Sequence, residues 1–174
     1  TQSGIRVNLV SAVEGPLQAQ FTNAGIPVTI ASPQVACSTS DGVAFDQALA
    51  AMSDNAVWTE ADLIVANTLV AFWAVPLAST LGKRSAFYIH ESAGARRFFA
   101  LDFPSEAIAR VEAAIAKADR VIFPAADGQR AHAYLASRGQ FRAPAGWGDV
   151  SRIEAYEAAY DRSRLRQELD LTPE

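Results

Sequence analysis

The residues best placed to do chemistry close two short apolar runs: Asn67 and Thr68 after DLIVAN (62–67), and His90, Glu91 and Ser92 after SAFYIH (85–90). Both runs are β-rich and lack polar alternation, and the stretch between them, LVAFWAVPLASTLG, has a helical pattern that stops at Gly82. Strand, helix, strand with a helical crossover belongs to a parallel sheet, whose strands are covered on both faces. Ligands of open parallel sheets bind just beyond the carboxyl ends of the strands. The spacing therefore predicts that these polar residues emerge side by side on one rim. The plain alternative for His90 is a satisfied histidine at the sheet edge. Glu91 can orient His90, take a proton from a hydroxyl, or cap the next turn. Asn67 and Thr68 can exchange hydrogen bonds with a ligand or cap the helix that starts at Leu69.

The elements that must carry these residues follow from the rest of the chain. IRVNLVSA (5–12) reads as a strand ending near Ser11 and Glu14, and a helix follows it. That helix has Pro16 in its first turn, Leu17 and Phe21 as an i, i+4 pair, and Gly25 as its stop. IPVTIA (26–31) is the next strand, and residues 32–42 are a polar loop. Phe45, Leu49, Met52 and Ala56 predict a helix from Val43 to about Glu60. After the central unit, ESAGARRFFALDFP is a loop long enough to be functional. Ile108, Val111 and Ile115 stripe the helix that Ser105 and Glu106 open. RVIFPA (120–125) is a strand, DGQRAHAYLASRG a short helix closed by Gly139, and FRAPA a final weak strand. Six strands alternating with helices predict an α/β, doubly wound, three-layer sandwich with a mostly parallel sheet. Trp58 and Trp73 read as core, His132 as a surface residue. Residues 1–145 form this domain; 146–174, charged and without a continuous apolar stripe, read as a connector and surface helix.

The chain has 174 residues, half of them apolar and a fifth charged, which suits one soluble domain with a full core. A formal charge of -4 gives no footing on phosphate backbones, so no nucleic-acid partner is expected. Cys37 is alone and there are two histidines, so neither a disulfide nor a zinc set is expected. TQSGIRVNLV lacks the pattern of a secretory signal. Asp62, Asn67 and Pro76 interrupt the most apolar window, which argues against a spanning helix. A cytoplasmic protein is expected.

Taken in order, GPLQAQFTNAGIPVTI, ADLIVANTLVAFWAVPLASTLGKRSAFYIHES and KADRVIFPAADGQRAHAYL resemble the amino-terminal domain of GT-B glycosyltransferases, in particular the retaining family 4. The resemblance covers most of residues 5–140, and the IHES strand end following the ANT strand end is its most specific part. It implies two Rossmann-like domains facing across a cleft, the first holding the acceptor and the second the nucleotide-sugar donor. No metal or cofactor is implied, because helix amino termini and basic side chains stabilise the leaving pyrophosphate. His90 is similar in position to the family histidine that contacts the transferred sugar, a role in hydrogen bonding and charge stabilisation. Asn67, Thr68, Ser92, Ser11 and Glu14 would then contact a sugar or lipid-linked acceptor, as in bacterial-envelope polysaccharide biosynthesis.

Against that pattern, GIRVNLVSAVEGPL resembles the family's second strand and RSRLRQELDLTPE the opening of the donor domain, with Asp170 where Gly is common. Trp147 stands where an Asn-Gly turn is usual. The expectation is a partial domain that does not turn over alone. Its strand order would be 2-1-3-4-5-6 without a leading strand, unless a neighbouring chain fills the gap.

Arg96, Arg97, Phe98 and Phe99 form a basic and aromatic cluster on the long loop. It would suit a lipid phosphate or the inner membrane face, or else the rings are core and the charges solvated. The competing reading of the whole chain is a flavodoxin-like binding module without catalysis. SAVEGP is a poor flavin phosphate loop, and no G-x-G-x-x-G follows a strand.

Overall fold

The computed structural model describes residues 4–31, 33, 37–138 and 141–142, together with Ala155, Arg164 and Gln167. The chain divides into two compact units, Thr1–Ala143 and Pro144–Glu174. In the second, the three described residues are helical and exposed. The Trp147 turn and the rest of the connector lie outside the described residues.

The first unit is α/β, with parallel strands in two small open sheets and helices on either side, compatible with a Rossmann-like fold. β1 (Leu9–Ser11) pairs with β2 (Val28–Ile30), and α1 (Leu17–Asn23) connects them. β3 (Leu63–Asn67), β4 (Arg84–Tyr88), β5 (Arg120–Phe123) and β6 (Phe141–Arg142) form the second sheet in that order. The expected succession of strands is present but divided between β1 and β3. Its physical reason is a weak amino-terminal unit: none of residues 4–31 is buried, and Leu17 of the expected apolar pair is 56% exposed. Val10 packs against the core, and Arg6 reaches Glu60 at 3.8 Å with both side chains mostly in solvent.

Local chemistry explains where the remaining elements start and stop. The helix expected from Val43 to Glu60 is two helices, α2 (Gly42–Ser53) and α3 (Ala56–Thr59). Asp41 accepts from Val43 and Ala44 N–H at 2.8 and 3.3 Å, and Asn55, in extended backbone, accepts from Val57 N–H at 3.0 Å. The second cap restarts the helix and puts Ala56 outside the apolar stripe, exposed, while Phe45 and Leu49 are buried. Between β3 and β4 the chain makes a 3₁₀ turn (Leu69–Ala71) and then α4 (Ala74–Thr80). Pro76 has no N–H to donate, so α4 begins late enough to hold it in the first turn. Gly82, at φ 63°, closes α4 while Lys83 N–H returns to Ala78 O at 2.8 Å.

Three further helices follow: α5 (Ala95–Phe98) in the long loop, α6 (Ser105–Lys117), and α7 (Ala126–Ala131) with a 3₁₀ continuation over Ala133–Arg138. Ile64 and Ala66 of β3, Phe87 of β4, and Val121 and Phe123 of β5 share one face of the larger sheet and are buried. They join one core with Phe45 and Leu49 of α2, Leu77 of α4, and Val111 and Ile115 of α6. Trp58 and Trp73 meet edge to face at 5.8 Å inside it, as read from the sequence. The opposite face is not closed: Leu63 and Val65 are 48% and 55% exposed. β3 therefore alternates, unlike the doubly covered strand that its apolar run predicts.

His132 corrects a second expectation. It is fully buried, with its ring stacked on Phe123 at 5.4 Å and Nδ1 within 2.9 Å of Gly128 O. Four residues after buried Gly128, it continues the inner face of α7, where its ring meets Phe123 of β5.

Candidate functional site

β3 and β4 end level, with Asn67 opposite Tyr88, so the residues that follow leave the sheet together. Asn67, Tyr88 and His90 lie on one face by the two-residue strand period. His90 Nε2 is 2.7 Å from Asn67 Oδ1, and the Tyr88 ring stands edge-on to the imidazole at 4.4 Å. The expected pairing of strand ends is thus a direct contact.

Thr68 bridges the two strand ends through its backbone, donating from N–H to Tyr88 O at 2.8 Å. Its φ of 71° and ψ of 157° fall in a region used almost solely by glycine, and it is the one described non-glycine residue with positive φ. Glu91 reaches back across the rim, and its Oε1 accepts from Leu69 N–H at 3.0 Å. The carboxylate thus sits at the start of the 3₁₀ turn, a place expected for Asn67 or Thr68, neither of which caps it. Thr68 Oγ1 and Glu91 Oε2 are both buried without a hydrogen-bond partner. Two sealed oxygens without partners thus flank the one described turn in which a non-glycine residue takes a positive φ.

Helix α7 supports this segment from behind. A Cβ on Gly128 would lie 3.1 Å from Glu91 O, and one on Gly94 would lie 2.9 Å from Ala131 O. Only the missing side chains allow so close a backbone approach.

The other candidates are placed apart from this cluster. Ser92 is exposed just beyond Glu91. Ser11 spends its hydroxyl on Val13 O at 2.7 Å, closing its own turn, and Glu14 is exposed after it. No described contact links either of them to Asn67 or His90. Phe99 is buried and stacked on Phe103 at 4.3 Å, while Arg97 is exposed, Phe98 is 40% exposed and Leu101 97% exposed. A cavity of about 250 Å³ lined by Ser79, Lys83, Ser85, Lys117 and Asp119 lies at the amino-terminal ends of β4 and β5. That is the rim opposite His90, and Asp119 there is taken up by Ser85 N–H at 2.7 Å. Among the described residues no group of His, Cys, Asp and Glu could hold a metal ion, and no helix is long and apolar enough to cross a membrane.

Arg96 has a partner that sequence reading missed: its guanidinium grips Glu112 of α6 with two bonds, at 2.8 and 3.2 Å. Tyr134 OH donates to the same carboxylate at 2.7 Å. Glu112 thereby ties α5, α6 and the last 3₁₀ turn together. Nothing in the spacing of these three residues, far apart in sequence, could have revealed it. Arg96 holds the Glu112 carboxyl below its usual range, so this part of the stability is present above the ordinary glutamate pKa. It is lost as pH falls through the lowered value. Burial, then the bond to Glu112, pushes Tyr134 up to about 12, so its contribution is present below the ordinary tyrosine value and lost as pH rises through about 12. Glu112→Gln is expected to flatten the acid limb of a urea-midpoint-versus-pH curve, and Tyr134→Phe to delete the latest step in an ultraviolet tyrosinate titration. Unchanged curves in both variants would dissolve the hub. Because Arg96 is 77% exposed, the acid effect is small.

Compared with protein-family models, with curated proteins and with solved structures, the chain finds no match.

Proposed function

We propose that this chain is the acceptor-side half of a retaining GT-B glycosyltransferase, moving a sugar from a nucleotide-sugar donor to a sugar or lipid-linked acceptor. The observation that carries the reading is the 2.7 Å contact between His90 and Asn67 at the carboxyl ends of two paired parallel strands. An imidazole held there offers hydrogen bonding and charge stabilisation to a sugar undergoing transfer. The family resemblance supports the same residues. In this reading the nucleotide sugar is held by a second α/β domain, and the chain does not turn over alone.

In an enzyme that joins this domain to its donor-binding half, His90→Ala is expected to lower kcat by about 10²-fold with the fold intact. Wild-type rates in that variant would remove His90 from the chemistry and favour a binding module.

Peripheral contact with the cytoplasmic face of a membrane belongs to the same reading. With Arg96 committed to Glu112, that contact falls to Arg97, Phe98 and Leu101. The Arg97→Ala variant is expected to sediment less with anionic vesicles than the parent chain, and equal sedimentation discards the membrane contact.

A further inference from the structure

From the sequence Asn67 reads as a ligand contact or a helix cap, and Glu91 as a group that orients His90, takes a proton or caps the next turn; in the structure each has a side-chain oxygen engaged inside the protein. Asn67 Oδ1 faces His90 Nε2 at 2.7 Å. A carbonyl oxygen only accepts, so with the amide in this orientation the imidazole nitrogen facing it is the one to carry the proton. In the neutral ring the other nitrogen, Nδ1, then holds a lone pair, and no described residue donates to it. The edge of the Tyr88 ring, 4.4 Å away and at 84° to the imidazole, limits rotation that would exchange the two nitrogens. Glu91 acts one step further back. By accepting from Leu69 N–H it fixes the Asn67–Leu69 turn, where Thr68 holds an unfavourable φ, and so fixes where Asn67 points.

We infer that Asn67 and Glu91 are positioning residues that hold His90 as the Nε2–H tautomer and present its Nδ1 as an acceptor. The group that fits is a hydrogen-bond donor, and for a ligand rich in hydroxyls that means one of its O–H groups. The hydroxyl part rests on the transferase reading above; the tautomer does not. An acceptor at this point also selects against a ligand that offers a carboxylate or phosphate oxygen to the neutral ring, since two lone pairs would then meet.

The test needs neither donor nor acceptor. Long-range ¹H–¹⁵N spectra of the labelled chain, recorded at alkaline pH where the ring is neutral, distinguish the two tautomers of His90 directly. The expected result is an Nε2–H signal that is slow to exchange, kept in Asn67→Asp, which still accepts, and at least about tenfold faster to exchange in Asn67→Leu. Glu91→Gln, whose amide oxygen can still accept from Leu69, should keep the slow signal, and Glu91→Ala should lose it. Backbone spectra of each variant show whether the fold is retained. An Nδ1–H tautomer in the parent chain, or the same exchange rate in Asn67→Leu as in Asn67→Asp, would overturn the inference. If the tautomer is as stated but His90→Ala leaves glycosyl transfer untouched, the positioning stands and the transferase reading falls.

Discussion

Phe87→Ala is expected to destabilise the first unit by about 3–5 kcal/mol, whereas Val65→Thr, one strand away, should change stability by no more than about 0.5 kcal/mol. The contrast comes from the two faces of the same sheet. Phe87 is wholly buried, flanked by Ala66 on β3 and Val121 on β5. Removing its ring strips contacts from both neighbours and leaves a cavity that the surrounding helices cannot fill without shifting. Against a total stability of about 5–15 kcal/mol for an ordinary domain, the loss is large enough to move a urea midpoint well outside error. Val65 lies on the open face, 55% exposed, with little apolar contact to lose. Threonine keeps its β-branched shape and strand preference. Equal losses in the two variants would mean that both faces of β3 and β4 are covered and that the one-sided burial is wrong.

The parts of this architecture that were legible in the sequence are those with a strong local signature. Gly82 announced the end of α4 because a left-handed C-terminal residue is one of the few positions where glycine is nearly required. The Phe45–Leu49 and Val111–Ile115 spacings gave the buried faces of α2 and α6. His90 and Asn67 were legible as a pair because parallel strands end on a common rim whatever their registers. What the sequence hid was set by contacts between distant segments. The apolar run of β3 carries no mark of which side faces water. Asn55 looks like any polar residue until its side chain is seen capping α3. His132 sits between two alanines, and its place four residues after Gly128 reads as inward only once the close approach of Gly128 to the strand ends shows which face of α7 is covered. The hold of Glu91 on Leu69 spans two strand ends, so the turn it caps is the one after β3, which no local pattern around Glu91 marks.

These differences sharpen what the rim can do. Asn67 Oδ1 is taken up by His90 and Glu91 Oε1 by Leu69 N–H, while His90 and Ser92 are themselves exposed. On the proposed reading, such an arrangement concentrates recognition on few atoms and rigidity on many, the usual division in a preorganised site. It also predicts that the most strained of the described residues belongs to the support and not to the contact surface.

That residue is Thr68, and Thr68→Gly is expected to raise stability by about 1 kcal/mol, or about 2–5 °C in Tm. At φ 71° and ψ 157° a β-branched side chain crowds its own backbone, at a cost of about 1–3 kcal/mol, and glycine removes that cost. The hydroxyl adds a smaller penalty, being buried with no partner. Working in the other direction, glycine gains more freedom than threonine in the unfolded chain, which gives back about 0.5–1 kcal/mol. The net sign is therefore stabilising, and Thr68→Ala should fall between, since it deletes the orphaned hydroxyl but keeps a Cβ in a forbidden region. On the transferase reading the same glycine should reduce glycosyl transfer by the joined enzyme, because a turn free to relax no longer pins Asn67 against His90. Calorimetry of the three proteins settles the first half. If Thr68→Gly melts below the parent chain, the side chain is supplying more than the backbone loses, and the turn is an ordinary structural one that stores no strain.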